Sequence, residues 1–231
     1  MYNISVINLI WLLLPVSFVA YFYFRWVGNK IEILYASARM LLQLLLVGYL
    51  LSYVFEAKTS YITVFIVVVM ISVASMITLR NITHKNLDTY KRIFLSIFVG
   101  GSLNLFLVLY FVLELDSFDN PRYIIPIAGM LYANCMNAVS LVAERFEKER
   151  EIYDYETARA NSFKASLIPQ INSFLAVGLV SLPGMMTGQI LSGVDPIIAV
   201  RYQIMVMFMV LGSSGISTII YLFQKTSKEL L

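Results

Sequence analysis

Asn134 and Asn137 stand in an otherwise apolar run, and Met130 and Leu141 extend their register at i, i+4, i+7 and i+11. On a helix these four positions share one face. Amide oxygens and thioether sulfurs are neutral, weak donors, so this face could wall the path of a cation. It could equally be glue: an interhelical asparagine bond in a membrane is worth about 1 kcal/mol. The other candidates, Ser181, Pro183, Gly184, Met185, Met186 and Gln189, lie in Val177-Gly178-Leu179-Val180-Ser181-Leu182-Pro183-Gly184-Met185-Met186-Thr187-Gly188-Gln189. Pro183 has no N–H to return to the carbonyl of Leu179, and Gly184 tolerates dihedrals that other residues avoid. A carbonyl unpaired in lipid is costly, so an interrupted helix persists only where protein, water or a passing substrate satisfies it. Broken helices near the bilayer midplane recur in translocation sites because freed carbonyls favour cations. The alternative is a proline kink that serves packing alone.

Methionine is abundant, with eleven residues; Met185 and Met186 fall at the break, and Met205, Met207 and Met209 in the last apolar run. Thioethers hold Cu(I) and, more weakly, Fe(II), but methionine is also adaptable packing material. The sequence leaves any metal ligands unassigned.

The elements that would position these residues are membrane spans. The chain has 231 residues, 59% hydrophobic and 13% charged, with a mean hydropathy of +0.78. A soluble domain carries about twice that charge. Seven apolar runs are each close to the roughly 20 residues that a membrane core requires. They are Ile4–Phe24, Leu34–Phe55, Tyr61–Leu79, Ile93–Leu113, Tyr123–Ala143, Leu167–Leu191 and Tyr202–Phe223. The expected fold is therefore all-α: a polytopic integral membrane protein of about seven helices, residues 1–231 forming a single transmembrane domain. Met1-Tyr2-Asn3 lacks the basic residues of a cleaved signal. Arg39 and Gln43 sit in the first turns of the second run, where Arg39 can snorkel to the interface.

Charge orients the spans. With the N-terminus outside, fourteen of the seventeen basic residues fall on the cytoplasmic side and only Lys58, Arg122 and Arg201 on the other. Glu56, Glu114, Asp116, Asp119 and Asp195 outnumber those three. The Lys/Arg bias predicts N-out, C-in.

The stretch Glu144–Lys164 holds eleven charges and no Pro or Gly. Glu144→Lys148 and Glu156→Arg159 are spaced for helical ion pairs. Phe146, Tyr153 and Ala160 recur every seven residues, a narrow apolar edge that a cytoplasmic subunit could grip beside Arg145 and Arg159. A solvent-facing connector explains the same pattern.

Several classes are excluded. One Cys (Cys135) and one His (His84) permit no disulfide framework, CxxC pair or His/Cys zinc cluster. There is no P-loop and no G-x-G-x-x-G, so no catalytic or nucleotide-binding motif, and no cofactor or nucleic-acid partner is expected. No Asp, Glu, Lys or Arg stands at the middle of a span. Ion-coupled carriers keep a carboxylate there. A transporter of this composition would draw its driving force from another polypeptide.

These residues resemble the FetB family, the membrane subunit of bacterial iron-export ABC transporters. The resemblance is carried by Val177 to Gln189 continued through Ile190-Leu191-Ser192-Gly193, by Asp195-Pro196 and Tyr202-Gln203-Ile204, and by Pro126-Ile127-Ala128-Gly129-Met130 with Asn134 and Met136-Asn137-Ala138-Val139-Ser140-Leu141. Arg39, Gln43-Leu44 and Val47-Gly48-Tyr49 also fit. Plant permeases linked to aluminium tolerance are similar too. The resemblance implies a multi-pass protein of the bacterial inner (plasma) membrane, a homodimer working with a separate cytoplasmic ABC ATPase, with iron or a related metal as cargo. Two departures stand out. Tyr132-Ala133 replaces the small residues that usually precede the Asn, and 144–164 lacks the Ala/Leu-Gly-Ala-Thr turn of a longer family loop. Without that turn, a non-transporting scaffold or receptor for a cytoplasmic partner is the alternative function.

Overall fold

The computed structural model describes residues 5–29, 31–57, 60–83, 85–115 and 120–225. Lys30, Lys58, His84, Asp116, Asp119 and Lys228, used in the sequence arguments, lie outside these residues, as do Ile4 and Met1-Tyr2-Asn3. The chain divides into two compact units, Met1–Ala57 and Lys58–Leu231.

The first unit is a pair of apolar helices. A 3-10 turn over Val6–Leu12 leads into α1 (Leu13–Val27), and α2 follows over Glu32–Ala57. Gly28 ends α1 at φ 81°, and its N–H donates to the Phe24 carbonyl at 2.9 Å, a glycine C-cap. Glu32 secures the corner. It accepts from the Tyr23 hydroxyl at 2.6 Å and from Asn29 Nδ2 at 3.1 Å. The 3-10 turn with α1, over Ile7–Val27, and α2, over Glu32–Val54, are each long and apolar enough to cross a membrane.

The second unit holds α3 (Ser60–Arg80), α4 (Leu87–Leu107), α5 (Pro121–Arg150), α6 (Tyr155–Ala176), α7 (Gly184–Leu191) and α8 (Pro196–Phe223). Asn86 caps α4 by accepting from the Thr89 N–H at 2.7 Å, and α4 runs on as a π turn over Val108–Val112. α8 packs against α4, α5, α6 and α7, while α5 also meets α3. The core lies between them, around Ile93, Ile97, Leu131, Tyr132, Cys135 and Tyr221. Where α4 crosses α8, a Cβ on Gly100 would stand 2.7 Å from the Ser217 backbone nitrogen, so only glycine allows that approach. Gly101 leaves room in the same way for the ring of Tyr132, whose hydroxyl lies 2.9 Å from Ser102 Oγ.

Six described helices are long and apolar enough to cross a membrane. With them the chain is a multi-pass, all-α membrane protein. The remaining apolar run, Leu167–Leu191, is interrupted: α6 stops at Ala176 and α7 resumes at Gly184. The charged stretch 144–164 is not one helix. It is the end of α5, a turn over 151–154 and the start of α6. Asp154 supplies the stop-and-start by capping α6, accepting from the N–H groups of Glu156 at 3.2 Å and Thr157 at 3.4 Å.

Candidate functional site

The break is built differently from the proline interruption that the sequence suggests. Pro169 and Pro126 lie inside α6 and α5 without ending them. The chain leaves α6 because Val177 turns extended and Gly178 enters the left-handed region at φ 82°. Pro183 is the cap of the next helix, where a missing N–H costs nothing, and its carbonyl accepts from Thr187 N–H at 3.0 Å. Gly184 is simply the first residue of α7. The Pro183-Gly184 pair thus restarts the helix and does not break it.

Part of the freed backbone is satisfied within the loop. The Ala176 carbonyl accepts from the N–H groups of Leu179, Val180 and Ser181, and the Ser181 carbonyl accepts from Gly178 at 3.0 Å. No described backbone N–H reaches the carbonyls of Val177, Gly178, Leu179 or Val180. Leu179 and Val180 are almost fully exposed at the tip of this loop. Ser181 is exposed as well, and its part in the loop is played by its backbone.

Five of the candidate residues divide between two cavities. The first, about 410 Å³, is almost wholly apolar; Pro183 and Met186 line it with Phe174, Gln203, Met207 and Phe208. Gln203 is 6% exposed, and its buried Oε1 has no hydrogen-bond partner among the described residues. The second, about 480 Å³, joins Met130 of α5, Met185 and Gln189 of α7 and Met205 of α8. Adjacent in sequence, Met185 and Met186 face different spaces because neighbouring helical residues point about 100° apart.

The asparagine pair stands apart from the break. Asn134 is half-buried and donates from Nδ2 to the Met130 carbonyl of its own helix at 2.8 Å, while Asn137 is exposed. Neither lines a cavity beside α7. Of the four residues on that face, Met130 lines a cavity together with Met185 and Gln189 of α7.

At the opposite end of α5 the turn over 151–154 forms the tip of a helical hairpin. Phe146 is buried, its ring edge-on to Tyr155 at 5.9 Å, so it holds the hairpin from within and offers no edge to a partner. Arg145 pairs with Glu149 at 2.5 Å, and Glu149 accepts from Asn161 across the hairpin at 2.8 Å. Lys148 pairs with Glu144 at 2.7 Å, and Arg159 pairs with Glu156 while lying over the Tyr155 ring. Ile152 and Tyr153 project at the tip, exposed. The Tyr155 hydroxyl donates to the Leu222 carbonyl of α8 at 3.2 Å.

The hydrogen bond with Thr157, together with the α6 backbone N–H groups, holds the Asp154 carboxyl below the usual aspartate range. A lowered folded-state pKa stabilises the hairpin fully above that range, and the contribution disappears as the pH falls through and below it. Asp154→Asn should keep the cap yet lose this acid sensitivity, whereas Asp154→Ala should lower the unfolding temperature at neutral pH. Thermal unfolding across an acid series checks both. Identical acid profiles for wild type and Asp154→Asn would contradict it.

A family model described as an uncharacterised protein family, UPF0014, matches residues 6–229. The chain belongs to UPF0014. Among the relatives of this UPF0014 protein, "UPF0014 membrane protein slr1647" of Synechocystis is 32% identical, over 84% of this chain and 82% of the relative. The "Probable iron export permease protein FetB" of Escherichia coli is 33% identical, over 82% and 78%. "Protein ALUMINUM SENSITIVE 3" of Arabidopsis thaliana is 33% identical, over 81% and 73%. No solved structure matches. The expected resemblance to the FetB family is thus met along most of the chain.

Sequence reasoning about this UPF0014 chain passed over Gln203 as a site residue, although a glutamine within an apolar run is itself a signal. It also passed over Tyr123 and Tyr202, which line the second cavity from the starts of α5 and α8. Tyrosines at span ends ordinarily read as interface anchors, so nothing in the sequence set these two apart.

Proposed function

We propose that this protein is the membrane permease subunit of an ABC-type exporter that moves a metal ion out of the cytoplasm. The observation that carries the reading is the interrupted α6–α7 rod. It leaves four backbone carbonyls without backbone donors among the described residues, with Val177 and Gly178 on the wall of the first cavity, within a chain whose span centres are uncharged. Freed oxygens and thioethers can hand on a cation, but nothing here supplies energy. A separate cytoplasmic ATPase supplies it, as in the system implied by the relative named for iron export.

The Lys/Arg distribution supports an N-out, C-in orientation, and the resemblance to the bacterial FetB relative supports a bacterial inner membrane. The α5–α6 hairpin is then cytoplasmic, and the ATPase docks at its tip through Tyr153, Arg145 and Arg159, with Ile152 beside them. The Tyr155–Leu222 hydrogen bond passes that movement to α8, which also walls both cavities. The permease acts as a homodimer surrounded by lipid. An exposed amide on a membrane helix is costly until another chain covers it, which makes Asn137 a natural contact for the second copy.

Asn137→Leu should lower transport while leaving insertion intact, measured as efflux against the amount of protein in the membrane. Equal loss of both would reduce Asn137 to packing. The reading as a whole is tested by cellular metal content with and without this gene under iron, copper and aluminium loading. Unchanged content of all three would overturn it.

A further inference from the structure

The second cavity lies where the N-terminal parts of α5 and α8 meet α7. Each helix brings one thioether to its wall: Met130, Met205 and Met185. All three are half-buried and pack on the core. Gln189, one turn beyond Met185, adds an amide whose buried Oε1 accepts no hydrogen bond among the described residues. Leaving such an oxygen unsatisfied costs about 1–3 kcal/mol, so the site calls for an electrophilic occupant. The other polar groups on the wall are the tyrosines already named and Arg122, which is exposed. No carboxylate, thiolate or imidazole among the described residues lines the cavity. Among the described residues, no group of three or more His, Cys, Asp or Glu could hold a metal elsewhere.

The charge of the donors selects the ion. A divalent or trivalent ion that enters a ring of thioethers surrenders hydration that these soft neutral donors replace poorly, and hard cations seek oxygen ligands, carboxylates above all. A soft monovalent ion has less hydration to lose and prefers thioether sulfur. We infer that Met130, Met185, Met205 and Gln189 form a binding site for a soft monovalent cation, Cu(I) or its analogue Ag(I). Its role as cargo rests on the export reading above; its binding does not. Uncharged ligands also release an ion readily, as a station on an outward path must.

The test uses the full chain purified into lipid nanodiscs without any ATPase, with Cu(I) titrated against a chromophoric chelator and Ag(I) or Fe(II) as competitor. Wild type and Cys135→Ala should bind Cu(I) alike, with Ag(I) displacing it and Fe(II) not. Met130→Leu, Met185→Leu and Met205→Leu should each weaken binding about tenfold, or 1.4 kcal/mol. Leucine keeps the volume, and Met76→Leu, at an exposed position on α3, should change nothing. Gln189→Leu gives an independent readout should a methionine variant fail to fold. The inference is overturned if the combined leucine variant binds Cu(I) as tightly as wild type, if binding vanishes with Cys135, or if Fe(II) displaces Cu(I) at equal concentration. Binding without cellular efflux would overturn the export reading alone. Efflux without binding would overturn this site alone.

Discussion

Replacing Gly178 and Pro183 together by alanine should reduce metal efflux about tenfold or more while the protein still inserts in normal amount. Gly178 holds φ at 82° with nothing within 4 Å of a Cβ, so the penalty there is conformational and not a clash. An L-residue in that left-handed region costs about 1–2 kcal/mol, which shifts the balance toward a continuous α6–α7 helix by about tenfold. Pro183→Ala adds the N–H that a continuous helix needs. Helical circular dichroism should rise as efflux falls. Gly178→Asn is the internal control, because asparagine tolerates the left-handed region and should retain most of the efflux. Pro183→Ala alone should be milder, since Pro183 caps α7 and does not create the interruption. Full efflux from the double variant, with helicity raised, would remove the loop from the mechanism.

The second large effect concerns the fold. Gly100→Ala should destabilise the helix bundle by about 1–3 kcal/mol, the usual cost of overpacking. The added methyl would stand 2.1 Å from Ser217 Oγ and 2.7 Å from the Ser217 backbone nitrogen. A side-chain atom can rotate away, but a backbone atom moves only with its helix, so α4 and α8 must part. Adding Ser217→Gly to Gly100→Ala should therefore rescue only part of the loss. Gly48→Ala in α2 meets nothing within 4 Å and should be neutral or gain up to about 1 kcal/mol from helix propensity. Thermal unfolding of the purified variants measures all three. Full rescue by Ser217→Gly would show that the hydroxyl, and not the helix approach, sets the limit.

Sequence by itself determined the class of molecule, the identity of most spans and the family. Apolar runs near membrane length have one satisfactory solution in lipid, the helix, because every backbone group must pair within its own segment. The Glu144–Lys148 and Glu156–Arg159 pairs were legible for the same reason: helical spacing is local. Tertiary structure alone decided which residues meet. Nothing local distinguishes Met185 from Met186, yet Met185 lines a cavity between α5 and α8 and Met186 one between α6 and α8. The heptad of Phe146, Tyr153 and Ala160 read as a single edge, but α5 ends between Phe146 and Tyr153 and Asp154 starts a new helix, leaving Phe146 buried and Tyr153 exposed. Spacing put Asn134 and Asn137 near one face, but only the folded chain shows Asn134 half-buried with its amide on the Met130 carbonyl and Asn137 exposed. Periodicity fixes how side chains lie around one helix axis; the rotation of that helix against its neighbours is set by close approaches such as Gly100 on Ser217, and those exist only once the chain has folded.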